Sequence, residues 1–187
     1  MGLGRIKRKG TMDESDIEKK YDMKIAITTD HAGFEQLQQL KVYLQEMGHE
    51  CIDYGPDRFD PEDDYPDFMF PAAEAVARGV CDRGVIMGGS GQGEAIAANR
   101  IPGVRAALFY GPAIAKGPID AVGTMSDDPY EIVRLSRQHN DANVLSLSGR
   151  FLTLDEMKQA LEIWFSTPFS GEVRHSRRIL KLDKSTK

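Results

Sequence analysis

The sequence predicts an α/β fold, a three-layer αβα sandwich around a Rossmann-like five-stranded parallel sheet. Three observations predict it. From Lys24 onward, short apolar runs alternate with stretches of helical periodicity, the pattern of successive βα units. One such run, Gly84 to Met87, passes directly into Gly88-Gly89-Ser90-Gly91-Gln92-Gly93-Glu94, a glycine nest that opens a helix. Finally, 187 residues with 41% in the hydrophobic set fit one domain of about 100 to 200 residues. A core of that size buries roughly 70% of the unfolded chain's surface, so no disulfide or metal staple is needed.

Each element follows from its residues. Residues 1–22 are charged throughout and read as a disordered or extended segment, with Arg5 to Lys9 either a solvated tail or a localisation or anion-binding patch. Met23 marks the start of the domain, 23–187. Lys24 to Thr29 is the first strand. Phe34, Leu37, Leu40 and Leu44 share one helical face that Gly48 terminates. Cys51 to Tyr54 is the second strand, followed by a Pro- and Asp-rich loop to Tyr65. A helix then runs to about Arg78, and Pro71 must lie in its first turn or kink it. Strand three enters the nest, Ala95 to Asn99 continues the helix behind it, and Arg105 to Phe109 is strand four.

Tyr110 to Asp127 is rich in Gly and Pro, shows no period, and reads as an inserted loop or lid, residues 110–127. Asp128-Pro129-Tyr130-Glu131 predicts an N-cap, a proline at N1 and an acid at N3 for a helix running to about His139. Asn143 to Ser148 is strand five. Thr153 and Glu156 form a capping-box pattern before a helix that carries Leu161 and Trp164 and ends at Pro168. Glu172 to Leu182 is a basic C-terminal helix. A sheet order of 2-1-3-4-5 would place the ligand crevice beyond the carboxyl ends of strands one and three.

Composition excludes several classes. With 24 basic and 29 acidic residues the net charge is −5, which gives no general attraction to nucleic acid or anionic membranes. No segment approaches the ~20 apolar residues of a membrane span. The two cysteines, Cys51 and Cys81, form neither a disulfide framework nor metal-ligand spacing, so a reducing, cytoplasmic location is expected. No metal is implied, because no His/Asp/Glu cluster has ligand spacing.

The nest carries the chemistry. Peptide N–H groups at a helix start attract anionic oxygen. An ionised Glu94 would repel a triphosphate there. It suits a reaction in which a base removes a proton while N–H groups hold the oxygen that becomes negative. The spacing G-x-G-x-G, placed after strand three rather than strand one, also argues against a dinucleotide dehydrogenase.

Several motifs in order carry a family resemblance: Asp30-His31-Ala32-Gly33, Asp64-Tyr65-Pro66, Gly88 to Glu94, Ala97-Ala98-Asn99, Arg137-Gln138-His139-Asn140, Gly149-Arg150 and Arg174-His175-Ser176-Arg177-Arg178. Over about Met23 to Leu182 the chain resembles the ribose-5-phosphate isomerase B family, which includes allose- and galactose-6-phosphate isomerases. One branch of that family has a catalytic cysteine where this chain has Gly88. This chain resembles the other branch, whose base is the Glu closing the nest, here Glu94. The segment Tyr110 to Asp127 departs from the family by its length, which bears on substrate access.

The resemblance implies a cofactor-independent aldose–ketose isomerase of a phosphorylated sugar, ribose 5-phosphate by default, acting through an enediolate. It implies Glu94 as base and His139 as the acid that opens the sugar ring. Ser90 and the amides of Gly89, Gly91 and Gly93 stabilise the enediolate. Asp30 and Asn140 hold hydroxyls, Tyr65 lines the sugar pocket, and His31, Arg150, Arg174 and Arg178 bind phosphate. Arg174 and Arg178, four apart on a helix, are expected to reach a neighbouring subunit's site, giving a homodimer with shared active sites and leaving a tetramer open.

Each residue also has a plainer role: a helix-terminal acid for Glu94, a cap for Ser90, loop polarity for His31 and His139, core packing for Tyr65, surface charge for the arginines. His49 and His175 receive no chemistry. Three alternatives stay open: another sugar phosphate, a non-catalytic phosphosugar-binding module, and a subunit that needs a paralogous partner, as in the two-component galactose-6-phosphate isomerase.

Overall fold

Five strands and six helices alternate along residues 23–185, the part of the chain that the structure, a computed structural model, describes. They are β1 (Lys24–Thr29), α1 (Phe34–Glu46), β2 (Glu50–Asp53), α2 (Tyr65–Ala77), β3 (Arg83–Gly88), α3 (Gln92–Ala98), β4 (Ala106–Phe109), α4 (Glu131–Asn140), β5 (Val144–Ser148), α5 (Leu154–Ser166) and α6 (Val173–Ser185). The segment 1–22, with its Arg5 to Lys9 patch, lies outside the described residues.

All strand pairings are parallel, as expected, but the order is β2-β1-β3-β5-β4 rather than 2-1-3-4-5. Burial explains the correction. Every residue of β5 (VLSLS) is buried, whereas in β4 (AALF) only Phe109 is. The strand able to be covered on both faces takes the interior position, and the short, half-covered one takes the edge. The swap leaves β1 beside β3, with the chain departing in opposite directions from that pair, so the crevice forms where expected.

Alternation along the strands builds two cores. Ile25, Ile27, Val85, Met87, Leu145 and Leu147 pack with Leu37, Leu40 and Leu44 of α1, Val133 of α4, and Met157 and Trp164 of α5. On the other face Ala26, Ile86 and Val144 meet Met69, Ala72 and Val76 of α2 and Ala97 and Ala98 of α3. Those small alanines let two helices lie close on the nest side.

Local signals mostly act as read. Gly48 adopts φ 92° just after α1, a conformation that favours glycine. The Thr153 and Glu156 capping box is formed in both directions. Pro71 sits inside α2, past its first turn, while Pro66 takes the N-terminal position. Asp128 caps a preceding turn rather than the helix itself: its Oδ1 accepts from Tyr130 N at 2.8 Å, and α4 starts at Glu131. Residues 110–127 contain no helix or strand. They are organised by Asp120, whose Oδ1 accepts from the N–H groups of Val122 and Thr124, each at 3.0 Å.

Candidate active site

The nest sits at the carboxyl end of β3 with its carbonyls satisfied from behind. Ser146 Oγ donates to Gly91 O at 2.7 Å and Ser148 Oγ to Gly89 O at 3.3 Å. The backbone N–H groups of Gly149 and Arg150 donate to Gly88 O at 2.8 Å and Gly89 O at 3.1 Å. This accounts for the two serines on an otherwise apolar strand. Gly91, at φ 73°, is the N-cap of α3, so the first-turn N–H groups behind it lack intrahelical partners. Ser90 Oγ accepts from Gln92 N at 3.3 Å across the turn, one residue ahead of the N-cap, so it is not itself the helix cap.

Glu94 turns its carboxyl back over the nest. It is only 4% exposed, and Oε2 is buried without a hydrogen-bond partner. A Cβ on Gly88 would overlap this carboxyl, so glycine is required there while Glu94 holds this position. Burial raises the Glu94 pKa above the usual carboxylate value; its own backbone N–H opposes that rise, and Asp30 adds to it.

Around Glu94 the carboxyl edge of the sheet gathers Asp30, His31, Tyr65 and Arg150. A Cβ on Gly93 would lie 2.8 Å from the Tyr65 ring, and one on Gly89 would lie 3.1 Å from the Arg150 guanidinium carbon. Tyr65 and Arg150 therefore flank the nest, and glycine leaves room for both. Asp30 is buried and accepts from Ala32 N at 2.9 Å, capping the short turn His31–Gly33. His31 Nδ1 lies 2.7 Å from Asp63 Oδ1, which also accepts from His31 N at 3.3 Å.

Asp30, His31 and Asp63 offer ligand atoms within 4.8 Å of one another, a proximity that sequence spacing could not reveal. The contact already joining His31 to Asp63 accounts for two of the three. Asp63 itself was missed in the sequence reading, which singled out only its neighbours Asp64-Tyr65-Pro66. The one available signal was the run of three acids, Glu62-Asp63-Asp64, at the end of the loop.

His139 and Asn140 are not part of this cluster in a single chain. They close α4, which runs back to the amino end of β5, and Arg105, just before β4, donates to Asn140 O at 3.0 Å. Glu94 follows the carboxyl end of β3, the parallel neighbour of β5. Five paired residues at ~3.3 Å each put about 16 Å of sheet between the two ends. Asp30 and Asn140, both expected to hold hydroxyls, therefore stand at opposite ends of the sheet within one chain.

At the amino edge His139 instead faces His175, ring centroids 4.2 Å apart. His175, given no role by the sequence, is 1% exposed and pairs through Nδ1 with Ser170 Oγ at 3.0 Å. Burial lowers the His139 pKa, and nearby His175, Arg174 and Arg178 lower it further against the opposing Glu172. The carboxyl edge thus gathers Asp30, His31, Tyr65, Gly89, Ser90, Gly91, Gly93, Glu94 and Arg150, and the amino edge gathers His139, Asn140, Arg174 and Arg178.

A parallel α/β sheet with a glycine-lined crevice at its topological switch point, flanked by Arg150 and a buried carboxyl, defines a class: doubly wound α/β proteins, which bind ligands beyond the carboxyl ends of their strands. The family model described as Ribose/Galactose Isomerase matches residues 25–120 and 123–182, and the chain belongs to that family. Ribose-5-phosphate isomerase B of Mycolicibacterium paratuberculosis is 36% identical over 157 residues, which cover 84% of this chain and 87% of that protein. A solved structure of ribose-5-phosphate isomerase B from Clostridium thermocellum matches with TM-score 0.74 and 36% identity, covering 87% of this chain and 97% of that one. The Mycoplasma genitalium enzyme, solved with bound ribulose-5-phosphate, matches with TM-score 0.74 and 34% identity, covering 87% and 95%. The gap in the family match falls inside residues 110–127.

Proposed function

We propose that the chain interconverts ribose 5-phosphate and ribulose 5-phosphate, with Glu94 as the base. One observation carries this reading: a buried carboxyl with an unpartnered oxygen, folded over a glycine nest beside Arg150. The branch of the family with a reactive cysteine has it where this chain has Gly88. The Glu94 carboxyl fills the space that such a side chain would need, which favours the Glu branch.

In this mechanism the sugar phosphate is held by His31 and Arg150 of one chain and by Arg174 and Arg178 of a second copy. His139 of that second copy, aided by Asn140, takes the anomeric hydroxyl proton and gives a proton to the ring oxygen, opening the ring. Its lowered pKa keeps the imidazole neutral near pH 7, with one nitrogen able to accept and the other to donate. Asp30 orients a hydroxyl and Tyr65 lines the pocket. Glu94 removes the C2 proton, the electrons move to O1, and the amides of Gly89 to Gly93 with Ser90 stabilise the enediolate oxygen. The O2 hydroxyl proton passes to O1, and Glu94 returns its proton to C1 as O2 becomes the ketone oxygen.

A raised carboxyl pKa suits this base, since a proton acceptor works best when its pKa approaches the working pH. The split of the residues between opposite edges supports a homodimer with two shared sites. Cys51 and Cys81 are free and their thiols are pushed above their usual pKa by burial, in keeping with a reducing, cytoplasmic setting. Among the described residues no helix is long and apolar enough to cross a membrane.

Glu94→Gln tests the reading. Turnover should fall by about 10²–10⁴-fold, the usual worth of a positioned base, together with solvent-deuterium incorporation at C2, while ribose 5-phosphate still binds. Unchanged turnover would overturn the assignment.

A further inference from the structure

The loop between β2 and α2 closes over His31 from one side. Phe59 sets its ring edge-on to His31 at 6.4 Å and to Phe34 at 6.3 Å. Asp60 makes the turn that delivers Asp63: its Oδ1 accepts from Glu62 N at 3.1 Å and its carbonyl from Asp63 N at 3.2 Å. Asp63 then spends one oxygen, Oδ1, on both the backbone N–H and the ring Nδ1 of His31. Its side chain is 7% exposed and Oδ2 is buried with no hydrogen-bond partner. A carboxylate buried this far against a single residue is committed to that residue.

We propose that Asp63 is a positioning residue: it fixes His31 with Nδ1 as donor, leaving Nε2 as the nitrogen that meets the sugar phosphate. The inference rests on the phosphate-binding role given to His31 above. Its logic is electrostatic. A neutral ring with Nδ1–H presents a bare Nε2 lone pair, which repels phosphate oxygen. The imidazolium presents Nε2–H, and a carboxylate on Nδ1 favours that form.

The groups facing His31 are Asp63 from the loop, Asp30 from its own turn, Arg150 after β5, and Glu35 in the hollow shared with α1. The hydrogen bond to Asp63 and the charges of Asp30 and Asp63 raise the His31 pKa, while desolvation and Arg150 oppose the rise. The arrangement is a carboxylate behind a histidine, the kind of outer partner that sets tautomer and ring orientation.

Nitrogen-15 NMR of labelled histidine tests this without any turnover. In the unaltered protein His31 should carry its proton on Nδ1 when neutral and titrate above an unperturbed histidine. In Asp63→Asn, which keeps the shape and removes the charge, the titration should move down, and in Asp63→Glu it should move back up. Inorganic phosphate, followed through the His31 resonance, should bind more weakly to Asp63→Asn near neutral pH. KM for ribose 5-phosphate should rise about tenfold with little change in kcat, the lower end of what such outer partners are worth at histidine metal ligands.

An Nε2–H tautomer in the unaltered protein would overturn the proposal even if no variant folds. So would a His31 titration unmoved in a natively folded Asp63→Asn. Absence of turnover in the unaltered chain would instead remove the isomerase reading and leave the NMR result legible.

Discussion

At the scale of single residues, Glu94 is where chemistry and stability pull apart. Its place behind six nest residues was legible in sequence, because a carboxylate beside a glycine-rich helix start would repel a nucleotide's phosphates. Its ionisation was not legible, because burial depends on how α3 packs against β3. Desolvation raises the folded-state pKa above the unfolded value, so the contribution of Glu94 to stability is full at acid pH and is lost as pH rises through the folded pKa. Glu94→Gln, which cannot ionise, should therefore be more thermostable than the unaltered protein at pH 8, with the gap closing toward pH 4. Paired melting curves across that range check it; a gap that widens toward acid would reverse the sign. His139 eluded the sequence differently: its motif with Asn140 was visible, but its edge of the sheet follows only from the direction of α4.

At the scale of elements, β5 shows what pattern reading can and cannot reach. Asn143 to Ser148 was recognisable as a strand, yet its serines gave no reason for their presence until Ser146 and Ser148 were seen donating to the nest carbonyls. The same hidden burial explains why the sequence placed β4, not β5, beside β3. Ser146→Ala removes a fully buried bond of 2.7 Å to Gly91 O, and should cost about 1 kcal/mol, or ~2–4 °C in Tm for a chain this size. It should also lower kcat, because the cradle it supports loosens. Thr153→Ala, which breaks the capping box of α5, should cost about as much stability and leave kcat unchanged. Equal kinetic effects in the two variants would deny the serine its role under the nest. Residues 110–127 were read as irregular and are so, but Tyr110 pairs with the Gln92 side chain and lies edge-on to Phe151, next to Arg150. That tie of the segment to the nest helix is a tertiary contact with no signature in composition.

At the scale of the whole molecule, the parallel sheet separates the proposed machinery into two halves at opposite ends of its strands. Local motifs named most of the residues, and the doubly wound topology placed the crevice, since β1 and β3 are neighbours whichever way β4 and β5 are ordered. The division between halves was partly anticipated, for Arg174 and Arg178, and the path of α4 extends it to His139 and Asn140. A two-fold dimer would bring each half against its complement. The direct measurement is subunit mixing of Glu94→Gln with His139→Ala, each inactive alone. In a mixed dimer one site would combine an intact Glu94 with an intact His139. Refolding the two together should restore about a quarter of unaltered turnover, the share expected when half of randomly assembled dimers carry one whole site. Recovery of that order supports a base and a ring-opening histidine contributed by different chains. No recovery, from dimers shown to have exchanged, would contradict it.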